Sequence, residues 1–149
     1  QAVTLVMLIS RTYDAGIRAL HERLPQLGFT DLRPVHCTNV FRVIDPAGNR
    51  PGELARRAGV SPQAMAEFVR YLEGAGYLER TADPQDGRAR MVVLTDRGRQ
   101  ASAAARQAFA DLEATWVERI GAERLTELRA TLAELAGSQP DPGPHLGRP

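Results

Sequence analysis

The side chains that stand out for chemistry are arginines gathered around one short stretch. Arg80, Arg88 and Arg90 flank the turn-forming run Asp83-Pro84-Gln85-Asp86-Gly87, which puts Arg88 at a loop tip. A guanidinium is permanently charged and presents a flat fork of donors, which suits phosphates, guanine edges and carboxylates. Asp86 stands two residues before Arg88, placed either to hold that guanidinium by a charge-assisted bond or only to make the turn. Upstream, Gln63, Ala66, Glu67 and Arg70 share one side of a helical repeat that starts behind Ser61. On such a face Gln pairs with adenine, Glu accepts from cytosine N4, and Arg reaches guanine or phosphate. The same positions also fit the solvated side of any amphipathic helix.

Covalent chemistry has no comparable foundation. No Ser/His/Asp set and no carboxylate pair is recognisable from spacing, so neither an enzyme nor a cofactor is expected. His36 and Cys37 are adjacent, which on a helix points them about 100° apart. With only His21 and His145 besides, no metal site is expected. Cys37 is a single cysteine, which suits a reducing cytoplasm and reads either as a small buried residue or as an oxidant-sensing thiol. The 149 residues carry 19 basic side chains, all Arg, against 18 acidic ones, a net charge of +1. No whole-chain field announces a polyanionic partner, so recognition must rest on local placement. The longest apolar run, residues 3–9, is too short to span a bilayer and is followed by no small-residue cleavage site. A soluble, cytoplasmic protein without membrane contact is expected.

Periodicity outlines the elements that must position these groups. Val6, Tyr13, Ile17, Leu20 and Leu24 mark a helix over 2–24, closed by Pro25 and Gly28. Pro34 opens a second helix expected over 34–44, and residues 45–49 form a turn cluster. A short helix over 52–58 ends at Gly59. Ser61 caps, and Pro62 starts, a helix over 62–75 with Met65, Phe68, Val69 and Leu72 on its apolar side. Strands are expected over 77–81 and 90–94. Thr95 caps a long helix to about 120, and Leu125, Leu128, Leu132 and Leu135 mark the last one. The division that results is an N-terminal helical region over 1–30, a compact module over 31–99, a C-terminal helical region over 100–136 and a disordered Pro/Gly-rich tail over 137–149.

Two short helices joined by a tight Gly-containing turn are a helix-turn-helix signature, here 52–58 and 62–75 joined through Gly59-Val60-Ser61. An Arg-tipped hairpin directly behind it is far more specific than either part. The runs GELARRAGVSPQAMAEFVRYLEGAGYLER and DPQDGRARMVVLTDRGR resemble the winged helix-turn-helix of MarR-type (multiple antibiotic resistance) regulators. LRPVH resembles that family's second helix, and D-x-R followed by LTDRG its wing and exit. The resemblance runs over residues 5–135 and is strongest over 32–99. Glu67 stands where many members carry Arg, and Gly87 where a basic residue is common.

The resemblance implies a mainly α fold with a small β-hairpin wing, joined to a helical dimerisation region. It implies a homodimer that represses transcription at a pseudo-palindromic operator in double-stranded DNA. Helix 62–75 would enter a major groove, presenting Ser61, Gln63, Ala66, Glu67 and Arg70. Arg88 would enter the flanking minor groove, with Arg80 and Arg90 beside it and Asp86 in support. It also implies a pocket between the dimer helices and the module, open to small anionic aromatic effectors. Arg11, Tyr13, Arg18, His21 and His36 are its candidate lining, or are surface arginines and a satisfied core histidine. The alternatives kept open are a winged-helix protein-interaction module and a cysteine-based oxidant sensor.

Overall fold

The computed structural model describes residues 2–137, and the tail expected to be disordered over 137–149 lies outside them from 138 on. α1 (Leu5–Gln26) starts where the Thr4 hydroxyl accepts the amide of Met7 at 3.4 Å. Pro25 does not close this helix as expected but sits inside its last turn. So near the end, its missing amide costs at most one bond, and the Leu27 and Phe29 amides close the turn on Arg23 and Leu24 carbonyls at 3.0–3.3 Å.

The second helix also differs from expectation. α2 (Pro34–His36) widens at once into a π-helical stretch, Cys37–Phe41, where the Arg42 amide reaches back to the Cys37 carbonyl at 3.0 Å. The Thr38 hydroxyl bonds the Pro34 carbonyl at 3.2 Å and the Asn39 side chain bonds that of Val35 at 3.0 Å. Side chains competing for these acceptors disturb the ordinary ladder. Val43 and Ile44, expected to be helical, follow as a buried bend.

α3 (Pro51–Ala58) and α4 (Pro62–Gly74) form the helix-turn-helix, joined through Gly59 in the left-handed region. Ser61 caps α4 by accepting the Ala64 amide at 3.1 Å. β1 (Leu78–Ala82) pairs antiparallel with β2 (Arg90–Leu94), Leu78 opposite Leu94 and Ala82 opposite Arg90. Asn49, expected in a turn, adds a one-residue third strand, exchanging backbone bonds of 3.0 and 2.8 Å with Val92. α5 (Asp96–Ile120) is capped by Thr95, and α6 (Ala122–Ala136) follows it. Gly98 is required where α5 begins, because a Cβ there would lie 2.0 Å from the Tyr77 carbonyl oxygen.

One core runs through this module. Leu20 and Leu24 of α1 meet Val40, Phe41, Leu54, Met65, Val69, Leu72, Tyr77 and Val92, with Ala101 and Ala105 of α5 closing the far side. The ends are different: α6 buries no residue, and Leu5 to Ile9 of α1 are all exposed. Among the described residues no helix is long and apolar enough to cross a membrane.

Candidate nucleic-acid interface

α4 owes its orientation to its apolar side. Met65, Val69 and Leu72 are buried, which leaves Ser61, Gln63, Glu67 and Arg70 exposed and Ala66 half-buried. Its C-terminal end is held by residues outside the helix. The Tyr71 hydroxyl donates to the backbone carbonyl of Asp31, and the Tyr77 hydroxyl makes a short bond to the Asp31 carboxylate. Arg97 of α5 donates to the same carboxylate at 3.3 Å and to the Tyr77 oxygen at 3.0 Å, and lies over the Tyr77 ring. The Tyr77 hydroxyl, with the charge of Arg97 behind it, holds the Asp31 carboxyl below its ordinary range. Burial, then the Asp31 carboxylate, pushes the Tyr77 phenol up, so the hydroxyl stays a donor.

The wing tip is built from its carboxylates. Asp83 is buried; one oxygen accepts the Gln85 amide at 2.9 Å, and the other takes Arg50 Nε at 2.9 Å and its terminal nitrogen at 2.7 Å. These donors, the Gln85 amide first, lower the Asp83 carboxyl below its ordinary range. Of the two roles open to Asp86, the geometry is that of the turn-maker. One oxygen accepts the backbone amide of Arg88 at 3.1 Å and the other faces Arg50 at 3.9 Å, so it holds the turn and not the Arg88 guanidinium. Two residues of separation close an Asx turn more readily than they bring the long Arg88 side chain back.

The arginines then sort into two groups. Between Arg50 and Arg99, six are engaged by acceptors of the protein itself. Arg50 holds Asp83, Arg56 holds Glu53, and Arg57 holds Glu53, Asp45 and the Val43 carbonyl. Arg80, expected at the interface, gives its Nε to Glu73 of α4 at 2.6 Å. Arg97 holds Asp31, and Arg99 holds Asp96 and the Leu94 carbonyl. The guanidinium groups of Arg70, Arg88 and Arg90 have no such partner among the described residues. They are exposed on α4, the wing tip and the start of β2.

The candidate effector residues divide between two regions of the chain. Arg11, Tyr13, Arg18 and His21 are exposed along α1, whereas His36 is buried in the module. His36 Nδ1 accepts the Arg33 amide at 3.0 Å and the ring stacks on Tyr71 at 4.8 Å. Desolvation, then the Arg33 charge, lowers its pKa, so it is a neutral, satisfied core histidine. A cavity of about 300 Å³ lies instead among α1, α5 and α6, lined by Trp116, Ile120, Leu125 and Arg119. A second, of about 230 Å³, lies between α1 and α5 beside Glu22 and Asp111. None of the five candidates lines either one. Cys37 is fully buried, and desolvation pushes its thiol up to about 12. With the thiolate suppressed, the oxidant-sensing reading has no reactive group. No cluster of three or more metal-ligating His, Cys, Asp or Glu occurs among the described residues.

Arg50, Asp83, Asp31 and Arg97 went unseen in the sequence because their partners lie 33 to 66 residues away with no shared periodicity. The one available hint was the second carboxylate in Asp83-Pro84-Gln85-Asp86, more than a turn requires.

Comparison with known proteins agrees with this architecture. Residues 47–89 match the MarR family. An HTH-type transcriptional repressor of Mycobacterium tuberculosis is 36% identical over 88 residues, 59% of this chain. The match spans 63% of that repressor's own length. The reduced form of MarR from E. coli superposes with a TM-score of 0.74 at 24% identity, covering 91% of this chain and 98% of that one. CouR bound to a 23-mer DNA duplex gives 0.70 at 24% identity, over 89% of this chain and 92% of that one. CouR from Rhodococcus jostii bound to p-coumaroyl-CoA gives 0.67 at 24% identity, over 91% and 93%.

Proposed function

We propose that this chain is a MarR-family winged helix-turn-helix protein that represses transcription by binding double-stranded DNA as a homodimer. One observation carries the reading. In a module where six arginines are satisfied internally, Arg70, Arg88 and Arg90 hold unspent donors on the recognition helix and wing. An outside acceptor that meets both elements at once, with negative charge repeated along it, is a nucleic-acid duplex. α4 then enters a major groove, where Gln63 and Glu67 read base edges and Arg70 contacts phosphate, and Arg88 enters the adjoining minor groove. The exposed apolar residues at both ends of the chain supply the dimer, and two-fold symmetry asks for an inverted repeat with half-sites about one helical turn apart.

Release by a small anionic aromatic effector belongs to the same proposal. Its supports are the likeness to CouR and the exposed Arg11 and Arg18 of α1, which a carboxylate would suit. Selection from random duplexes tests the DNA reading: an inverted repeat should emerge, bound with a steep salt dependence. Failure to enrich any duplex would leave the module as a protein-binding one. A thermal-shift screen of aromatic acids tests the effector.

A further inference from the structure

The tip of the hairpin is well ordered within itself. The Asp83 amide donates to the Ala89 carbonyl at 3.0 Å, the Asp86 amide to Asp83 at 3.2 Å and the Ala89 amide to Asp86 at 2.9 Å. Such a tip is a small rigid piece, yet Pro84 to Arg88 are exposed. Among the described residues, the side chain that ties it to a helix is Arg50, through two bonds to Asp83 and an approach to Asp86 at 3.9 Å. Arg50 is itself fixed at its base. Asn49 before it is bonded to Val92 of β2, and Pro51 after it begins α3. A short, doubly anchored arm therefore runs from the start of α3 to the base of the tip.

On the reading of the wing given above, we propose that Arg50 is the positioning residue of the wing, gripping Asp83 so that Arg88 is presented at a fixed angle to the minor groove. Without the grip, the buried Asp83 carboxylate must find water, and the tip swings away from the module to supply it. The wing then samples many angles, and the groove-width preference that a fixed arginine confers is lost. The rival role for a half-exposed Arg50 is a phosphate contact of its own, and the two roles have different signatures.

The test compares Arg50→Ala, Arg50→Lys, Arg88→Ala and the Arg50→Ala/Arg88→Ala double variant in the full chain. Affinity is measured on the selected operator and on one with substituted half-site edges, at several salt concentrations. Arg50→Ala should weaken operator binding about 3- to 30-fold and erase the edge preference, with the salt slope unchanged. In the Arg88→Ala background it should add less than about two-fold, because the residue it positions is gone. Arg50→Lys, a point charge that reaches Asp83 with one bond, should fall between. In the free protein, hydrogen exchange of the Asp86 and Ala89 amides should quicken about ten-fold or more in Arg50→Ala while the Val92 amide is unmoved. Independent, multiplying losses with a salt slope lower by about one would make Arg50 a phosphate contact and overturn the proposal. Unchanged exchange at the tip would overturn it too. If Arg88→Ala itself binds as the parent does, the DNA reading of the wing fails, and the exchange arm still decides whether Arg50 holds the hairpin.

Discussion

The winged module and the two ends of the chain dispose of their hydrophobic residues in opposite ways. In α4 the apolar repeat is spent inside: Met65, Val69 and Leu72 are buried on a helix packed against α3, the π-helical stretch and β1. In α6 an equally regular repeat, Leu125, Leu128, Leu132 and Leu135, leaves Leu125 and Leu132 only half-buried, and Leu135 is 65% exposed. α1 holds both behaviours in one helix. Its C-terminal half packs Gly16, Leu20 and Leu24 into the core, and its N-terminal turns leave Leu5, Val6, Met7, Leu8 and Ile9 outside. A module that consumes its own apolar surface is a finished unit. Ends that do not are the surface that the proposed homodimer would cover, because a patch of this kind on a small chain is otherwise an aggregation site.

The largest effects expected separate these regions. Val6 is 75% exposed and lies in the first turn of α1, where an acidic side chain suits the helix dipole. Val6→Glu should therefore spare the folded chain and abolish the dimer, read by sedimentation equilibrium alongside circular dichroism. A variant that remains dimeric would remove the first helix from the interface. Leu72→Ala should do the reverse. Truncating a fully buried core residue costs about 2–5 kcal/mol, measured by urea unfolding, and acts on the fold whatever the assembly state.

Within the module the next contrast is between the unpaired arginines. Arg88→Ala should weaken operator binding by about 1–3 kcal/mol and reduce the preference for A·T pairs at the half-site edges. Arg70→Ala, as a phosphate contact, should weaken all duplexes alike and flatten the salt slope by about one. Asp86→Ala should reproduce part of the Arg88 effect, since its loss frees the Arg88 backbone from the turn. Equal behaviour of Arg70→Ala and Arg88→Ala on operator and edge-substituted DNA would erase the distinction between helix and wing.

What could be read from sequence was whatever is local. Ser61 and Pro62 announce the start of α4, and the spacing of Met65, Val69 and Leu72 gives its buried side, because caps and periodicity act within a turn or two. The hairpin was legible to within a residue for the same reason. The π-helical stretch was not: five residues are too few to change a repeat, and Thr38 and Asn39 reveal their back-bonding only once folded. The pairing of Asn49 with Val92 leaves no pattern, since one residue has no alternation. Arg80 looked free because its partner Glu73 is on another element. The candidate effector residues share no local pattern: four are exposed along α1, and His36 is buried in the module.

The smallest expected effect decides to which side of the comparison His36 belongs. An effector-lining histidine would be wet and free to take a proton, whereas a core histidine resists one. Desolvation, with Arg33 behind it and Asp31 pulling weakly the other way, lowers its pKa from the ordinary 6.5. As pH falls, the unfolded chain binds this proton before the folded one does. Stability contributed by the neutral ring is thus complete above about 6.5 and declines below it, by at most about 1.4 kcal/mol per pH unit for a single proton. Asp31, itself lowered, acts only below the ordinary carboxylate range and leaves this window clear. His36→Asn keeps an acceptor near the position that Nδ1 offers to the Arg33 amide but does not titrate. The gap in unfolding free energy between parent and variant should therefore narrow from pH 7 to pH 5.5, by up to about 1 kcal/mol. If the two curves run parallel through that interval, His36 takes its proton as readily folded as unfolded. It would then belong with α1 and its exposed arginines, on the unfinished side of the molecule.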